Sequence, residues 1–255
     1  MRATTSPSSA PAPSLAWSLF LDVDGTLLAL ADTPTAVMVD DALKELLARV
    51  ARSLGGALAL VSGRNIDAID RLFAPLRLPV AGLHGLERRT ASGTLHTAGE
   101  SRARLDPVRA CLAAFVEAHP GTLLEDKGGT LALHYRLAAH FAETARRVID
   151  AAAQALPGYH VQEGKMVLEL KPAGITKATA VQAFMQEPPF RGRTPVFVGD
   201  DITDRDGLRF AEGAGGVSIA VGDRIEGQYR LADPEQVRRW LASVAALDTA
   251  GQSRN

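Results

Sequence analysis

Ser18-Leu19-Phe20-Leu21-Asp22-Val23-Asp24-Gly25-Thr26 passes from an apolar run to two carboxylates spaced one residue apart. Leu19 to Leu21 have the continuous apolarity of a strand buried on both faces, as in a parallel sheet. The carboxylates fall at its carboxyl end, where open α/β sheets place ligands. Residues i and i+2 of an extended segment point the same way, so Asp22 and Asp24 can address one ligand together. Two like charges this close repel each other, and a cation relieves the repulsion. Gly25 permits the sharp turn that follows. A calcium loop of the EF-hand kind is excluded, because Thr26-Leu27-Leu28 supplies none of its further oxygen ligands. A plain turn with Asp24 capping a helix stays open on these nine residues alone.

Outward from this stretch the chain alternates. Val39, Ala42, Leu43, Leu46, Leu47 and Val50 recur at helical spacing up to Gly55-Gly56, and Ala57 to Val61 reads as a strand ending at Ser62-Gly63-Arg64. Ile66, Ile69 and Phe73 mark a helix, and Leu78 to Ala81 a third strand that ends in Gly82-Leu83-His84-Gly85-Leu86-Glu87. This alternation predicts an α/β core, a doubly wound and mostly parallel sheet with covering helices. The rhythm then changes: a helix over 104–118, strands over 122–125 and 130–135, a helix over 139–155, and strands over 159–162 and 166–170, with Glu163-Gly164-Lys165 as the last turn. Two αββ units in series predict an inserted α+β domain with its own antiparallel sheet, able to act as a lid. A helix over 177–185, a strand over 195–199 ending in Asp200-Asp201-Ile202-Thr203-Asp204, a strand over 216–221 and a helix over 234–247 complete the core. The expected organisation is a core over 15–101 and 172–247, an insertion over 102–171, a disordered Ser/Pro/Ala/Thr-rich tail over 1–14 and a frayed end over 248–255.

With 255 residues, 46% of them hydrophobic, the chain can bury a sizeable core of one or two domains. Its net charge of -1 argues against a general nucleic-acid binder and leaves room for a local phosphate pocket. No apolar stretch approaches the ~20 residues that cross a bilayer. The single cysteine, Cys111, excludes an internal disulfide and reads as plain core on its helix. A soluble, cytoplasmic monomer acting on a small molecule, without nucleic-acid or membrane partner, is expected.

Four segment ends carry polar residues that such a sheet would bring together: Asp22 with Asp24, Ser62, Lys177, and Asp200 with Asp204. Carboxylates, a hydroxyl and a lysine are what phosphoryl transfer needs, namely a nucleophile, a hard cation held by oxygen, and donors for phosphate oxygens. A strand-end turn serine and a solvated helix-start lysine are the ordinary alternatives for Ser62 and Lys177.

Asp-x-Asp-Gly-Thr, Ser62, Lys177 and Gly199-Asp200-Asp201-Ile202-Thr203-Asp204 resemble, in order and context, the four motifs of the haloacid-dehalogenase-like phosphatases. The αββαββ insertion resembles the larger cap type of that superfamily. Within it, Leu60-Val61-Ser62-Gly63-Arg64, Gly82-Leu83-His84-Gly85-Leu86-Glu87-Arg88, Leu133-His134-Tyr135-Arg136 and Val167-Leu168-Glu169-Leu170-Lys171-Pro172 resemble the trehalose-phosphate phosphatase branch, and the likeness runs from about Trp17 to Leu247.

That resemblance implies a Mg2+-dependent hydrolysis of trehalose 6-phosphate, in trehalose biosynthesis, through an aspartyl-phosphate. Asp22 would be the nucleophile and Asp24 the proton carrier, with Thr26 orienting Asp24 and Ser62 and Lys177 gripping the phosphoryl oxygens. Mg2+ would be held by Asp22, the backbone carbonyl of Asp24 and Asp200, with Asp204 and Asp201 behind them. Lys171 rivals Lys177 because it follows a strand directly, and Ala178 departs from the glycine usual after the phosphate lysine. Glu125, Lys127 and Glu169 would bind sugar hydroxyls, with surface ion pairs as their alternative. His84 and Glu87 would line the entrance, and Arg64 would meet substrate or cap its helix. His134 reads equally as a structural histidine. Another sugar phosphatase or phosphomutase of the same fold, or a non-catalytic sugar-phosphate sensor, are the competing functions.

Overall fold

The computed structural model describes residues 10–29, 38–98, 102–164 and 166–247. Most of the expected tail (1–9), the expected frayed end (248–255) and Lys165 of the expected turn lie outside the described residues. In chain order the elements are β1 (Trp17–Leu21), α1 (Asp41–Ser53), β2 (Leu58–Val61), α2 (Ile66–Phe73), β3 (Val80–Gly82), β4 (Glu87–Arg89) and β5 (Leu95–Thr97), followed by α3 (Arg102–Ala118), β6 (Leu123–Asp126), β7 (Leu131–His134), α4 (Ala142–Gln154), β8 (Tyr159–Gly164) and β9 (Val167–Pro172), and finally α5 (Lys177–Phe184), β10 (Thr194–Gly199), α6 (Arg205–Gly213), β11 (Val217–Val221), β12 (Tyr229–Leu231) and α7 (Pro234–Ala245). They form two compact units, one from the segments that end at His96 and resume at Thr176, the other spanning Thr97–Ile175. Among the described residues no helix is long and apolar enough to cross a membrane.

The first unit is built on an eight-stranded sheet of order β12-β11-β10-β1-β2-β3-β4-β5. Pairing is parallel from β12 through β3 and turns antiparallel at β4. β1 lies between β10 and β2, with Leu19 opposite both Val196 and Leu58. Leu19, Phe20 and Leu21 are wholly buried, and Phe20 meets the rings of Phe190 and Phe184. Each such burial stabilises the fold by about 1.5–3 kcal/mol relative to exposure. From β1 the strands proceed to β2 and β3 on one side and to β10, β11 and β12 on the other, so the order reverses at β1. The crevice beyond the carboxyl ends of β1 and β10 is therefore the topological switch point of the sheet. Pro11, within the stretch expected to be disordered, is buried, and its carbonyl accepts from Trp240 Nε1 on α7 at 3.1 Å.

The second unit has its own core, in which Leu105, Leu112, Leu131, Leu133, Ile149, Leu168 and Leu170 join α3 and α4 to an antiparallel sheet of order β6-β7-β9-β8. The buried stripe of α3 is Leu105, Val108, Leu112 and Phe115. Cys111 falls outside that stripe and is exposed, which corrects the expectation that it belongs to the core.

Candidate active site

β1 carries Asp22 to its carboxyl end, where the backbone N–H of Asp22 donates to Val198 at 3.0 Å. β10 ends at Gly199 and presents Asp200 beside it. A short 3-10 turn, Ile202–Asp204, then folds the chain back. Asp204 Oδ2 accepts the backbone N–H groups of both Asp200 and Asp201, each at 3.0 Å, so this side chain ties its own loop to the strand end. One carboxylate oxygen from each of Asp22, Asp200 and Asp204 lies within 4.8 Å of the others, and all three residues are buried. Lys177, the first residue of α5, donates from Nζ to Asp22 Oδ1 and to Asp204 Oδ1, each at 2.6 Å. Only 3% of Lys177 is exposed, so it is not a solvated helix-start lysine.

Three buried carboxylates thus face one ammonium. Burial, and then Asp204, push the Asp22 carboxyl well above its ordinary range against the opposing pull of Lys177. Burial, followed by Asp204 and Asp201, pushes Asp200 up to about 6. Burial alone would lower Lys177, but Asp204 and Asp22 together hold it above the usual lysine range. The cluster therefore carries unrelieved negative charge. Asp204 uses both oxygens on Lys177 and the backbone, which leaves Asp22 and Asp200 with oxygen to share with a hard cation. Mg2+ fits this donor set. Gly25, at φ +88°, approaches Asp200 so closely that a Cβ there would lie 2.2 Å from Asp200 Oδ2, and a Cβ on Gly199 would lie 2.4 Å from Asp204 Cγ.

Thr26 Oγ1 donates to Asp200 Oδ1 at 3.4 Å; it orients Asp200, where Asp24 was the expected partner. Asp24 brings no side-chain oxygen to the cluster, because Arg64 Nε and Nη2 hold its two oxygens at 2.7 Å each. Arg64 is not the cap of α2, since Asn65 accepts from Ala68 N at 2.8 Å in that role. Buried Ser62 follows β2 and accepts the Arg64 N–H on Oγ at 3.1 Å. Leu83 and His84 have φ of +50° and +57°, held by hydrogen bonds from their N–H groups to Arg64 and Ser62 carbonyls at 2.9 Å. Such backbone strain in residues other than glycine collects at functional sites. The His84 ring lies against Gly63, where a Cβ would come within 2.8 Å of its Cε1. The Glu87 carboxylate accepts from Ile66 N at 3.0 Å and serves the start of α2.

In the second unit Glu125, Ala132 and Glu169 occupy one row across β6, β7 and β9. Glu169 Oε1 accepts from Lys127 Nζ at 3.2 Å and Thr130 Oγ1 at 3.1 Å, while His134 Nε2 meets Glu125 Oε2 at 2.9 Å. That His134 contact, partly opposed by burial, holds the Glu125 carboxyl below its ordinary range. The three residues expected to bind sugar are therefore neighbours. Lys171 donates to Gln162 Oε1 at 3.1 Å on the same sheet, so the ammonium beside Asp22 belongs to Lys177. Not visible in the sequence are the close approaches at Gly25 and Gly199, the grip of Arg64 on Asp24, and Arg224, whose Nη1 stands 4.0 Å from Asp200 Oδ2.

The trehalose-phosphatase family model matches residues 20–235. A probable trehalose-phosphate phosphatase of Sinorhizobium fredii is 43% identical, over 91% of this chain and 89% of its own length. A solved structure of a trehalose-6-phosphate phosphatase related protein superposes with a TM-score of 0.77 at 24% identity, covering 91% of this chain and 99% of that one. A haloacid dehalogenase-like hydrolase from Bacteroides thetaiotaomicron superposes with a TM-score of 0.66 at 17% identity, covering 88% and 97%. At these identities the two structures speak for the fold alone, an α/β fold of haloacid-dehalogenase type.

Proposed function

The chain belongs to the trehalose-phosphatase family, a family of phosphoric monoester hydrolases, and we infer that it hydrolyses trehalose 6-phosphate to trehalose and phosphate. The observation that carries the chemistry is the buried Lys177 shared between Asp22 and Asp204, with Asp200 alongside. Asp22, at the end of the central strand, attacks phosphorus in line and forms an aspartyl-phosphate, which divides one hard displacement into two easier ones. Lys177 and Ser62 bind the phosphoryl oxygens as charge builds on them. Asp24 gives a proton to the departing sugar oxygen and then takes one from the attacking water. Arg64 fixes the Asp24 carboxylate through one bond to each oxygen, and the remaining lone pairs are free to carry that proton. Asp22 and Asp200 would hold Mg2+, with the Asp24 carbonyl completing the protein ligands, and the ion supplies positive charge to the phosphoryl oxygens when bound.

The second unit acts in this reading as an inserted cap of αββαββ type. Its cluster of Glu125, Lys127 and Glu169 offers charged donors and acceptors, which suit the hydroxyls of a disaccharide better than an apolar wall would. Phosphate release from trehalose 6-phosphate, glucose 6-phosphate and sucrose 6-phosphate, each with Mg2+, tests the assignment. A preference in kcat/KM for the trehalose ester of roughly tenfold or more is expected from a site that hydrogen-bonds the second sugar. Equal rates on all three would overturn the substrate.

A further inference from the structure

Apart from the carboxylate cluster, the first unit contains an open cavity of about 590 Å³, walled by α6 and by the loop from Asp223 to Gln228. That volume lies within the range of small-molecule sites. Arg205 and Arg209 line it one helical turn apart, both exposed, and neither is ion-paired among the described residues. Their placement is locally unfavourable. Arg205 opens α6, where a cation opposes the helix dipole, and the like charges of Arg205 and Arg209 at i and i+4 repel.

Neighbouring acids among the described residues, Asp206 of the first turn included, form no ion pair with either arginine. Glu212 accepts instead from Ser218 Oγ. Asp223 and Glu226 line the same cavity without pairing to either arginine. The far wall is fixed, because Gln228 Oε1 accepts from Ser218 N at 3.2 Å and Gln228 N donates to Ser218 Oγ at 2.9 Å. Two guanidinium groups and two carboxylates thus line one space of ligand size without pairing to each other. Arg224, also in the lining, reaches toward Asp200, so the cavity adjoins the carboxylate cluster.

We propose that this cavity is a second binding site, for a hydroxylated phosphate ester of the sugar-phosphate class. The guanidinium forks of Arg205 and Arg209 take the phosphate, and the carboxylates of Asp223 and Glu226 accept hydrogen bonds from the hydroxyls. The assignment rests on charge and space at this cavity, and it stands whichever ester the enzyme hydrolyses. Titration of the full chain with glucose 6-phosphate in EDTA, followed by backbone amide NMR, tests it. Saturable shifts are expected at Gly227 and Gln228, separate from any at Val23 and Gly25. The R205Q/R209Q variant should bind at this site at least about tenfold more weakly, as expected for loss of charge-assisted bonds of more than about 1.4 kcal/mol. R205K/R209K keeps the charge and loses the forks, so it should fall between the two and serves as the comparison if the glutamine variant does not fold. Sorbitol, which has hydroxyls and no phosphate, should leave Gly227 and Gln228 unmoved. The proposal is overturned by no saturable shift at those two amides, by shifts confined to the Asp22 region, or by affinity that is the same in the arginine variants.

Discussion

Lys177 stands 2.6 Å from a carboxylate oxygen of Asp22 and 2.6 Å from one of Asp204, and this single ammonium ties the end of β1 to the loop after β10. Asp204 passes the constraint on by binding the N–H groups of Asp200 and Asp201. Removing one partner of a buried ion pair strands the other charge and costs about 3–5 kcal/mol. Lys177→Met is therefore expected to lower the unfolding free energy by an amount of that order, read as a lower urea midpoint, and to abolish phosphate release. An unchanged midpoint would contradict the pairing.

Asp22 and Asp200 are the oxygen donors left for a cation. Saturating Mg2+ should stabilise the wild type by mass action, by about 2.7 kcal/mol at a hundred times its Kd. Asp200→Asn should lose most of that increment. Thermal melts with and without Mg2+ read the effect, and equal increments in the two proteins would remove Asp200 from the metal site.

Gly25→Ala tests the close approach of backbone to carboxylate. The position has φ +88° and its Cβ would strike Asp200, whereas Gly93 has φ +89° with nothing within 4 Å of a Cβ. Both alanine variants carry the conformational cost of about 1–2 kcal/mol. Only Gly25→Ala should also lower kcat/KM, by on the order of a hundredfold, because it displaces a group of the site. Similar activities for the two variants would show that the contact is unimportant.

Away from the site, Arg89 is buried and grips Asp70 through two bonds of 2.6 and 2.7 Å, with a third to the Leu78 carbonyl at 3.0 Å. The Arg89 hydrogen bond holds the Asp70 carboxyl below its ordinary range despite partial burial. A depressed folded value means that the pairing stabilises the fold above the unfolded carboxylate pKa of about 3.9, and that this contribution is lost as pH falls through the lower folded value. Asp70→Asn should then cost about 1–3 kcal/mol near neutral pH. The gap from wild type should narrow below about pH 4, as denaturation at the two pH values would register; a gap that widens in acid contradicts the pairing.

Much of the site was legible because its residues sit at the ends of strongly apolar strands. Asp22 after Leu19 to Leu21, Ser62 after Ala57 to Val61, and Asp200 after Pro195 to Gly199 announce themselves by that change of character. α6 was hidden for a physical reason. Its buried face is Gly207, Leu208 and Ala211, and Gly207 is needed because a Cβ there would lie 2.5 Å from Phe197, so the apolar period is interrupted where packing is tightest. β4 carries Glu87, Arg88 and Arg89, β5 is exposed throughout, and β12 is three residues long, so none has the pattern of a buried strand. Pairings across long separations were equally invisible. Arg64 with Asp24, Glu87 with the start of α2, and Thr26 with Asp200 are set by how the sheet brings distant segments together.

The central claim is that Asp22 attacks phosphorus, and its most direct test is the rate of phosphate release from trehalose 6-phosphate by Asp22→Asn beside the wild type, with Mg2+ and under single-turnover conditions. Asparagine keeps the size of the side chain and removes the nucleophilic carboxylate, so the account predicts a loss on the order of a thousandfold or more. A folded variant that retains a rate within about tenfold of wild type, little more than 1.4 kcal/mol of barrier, would contradict it.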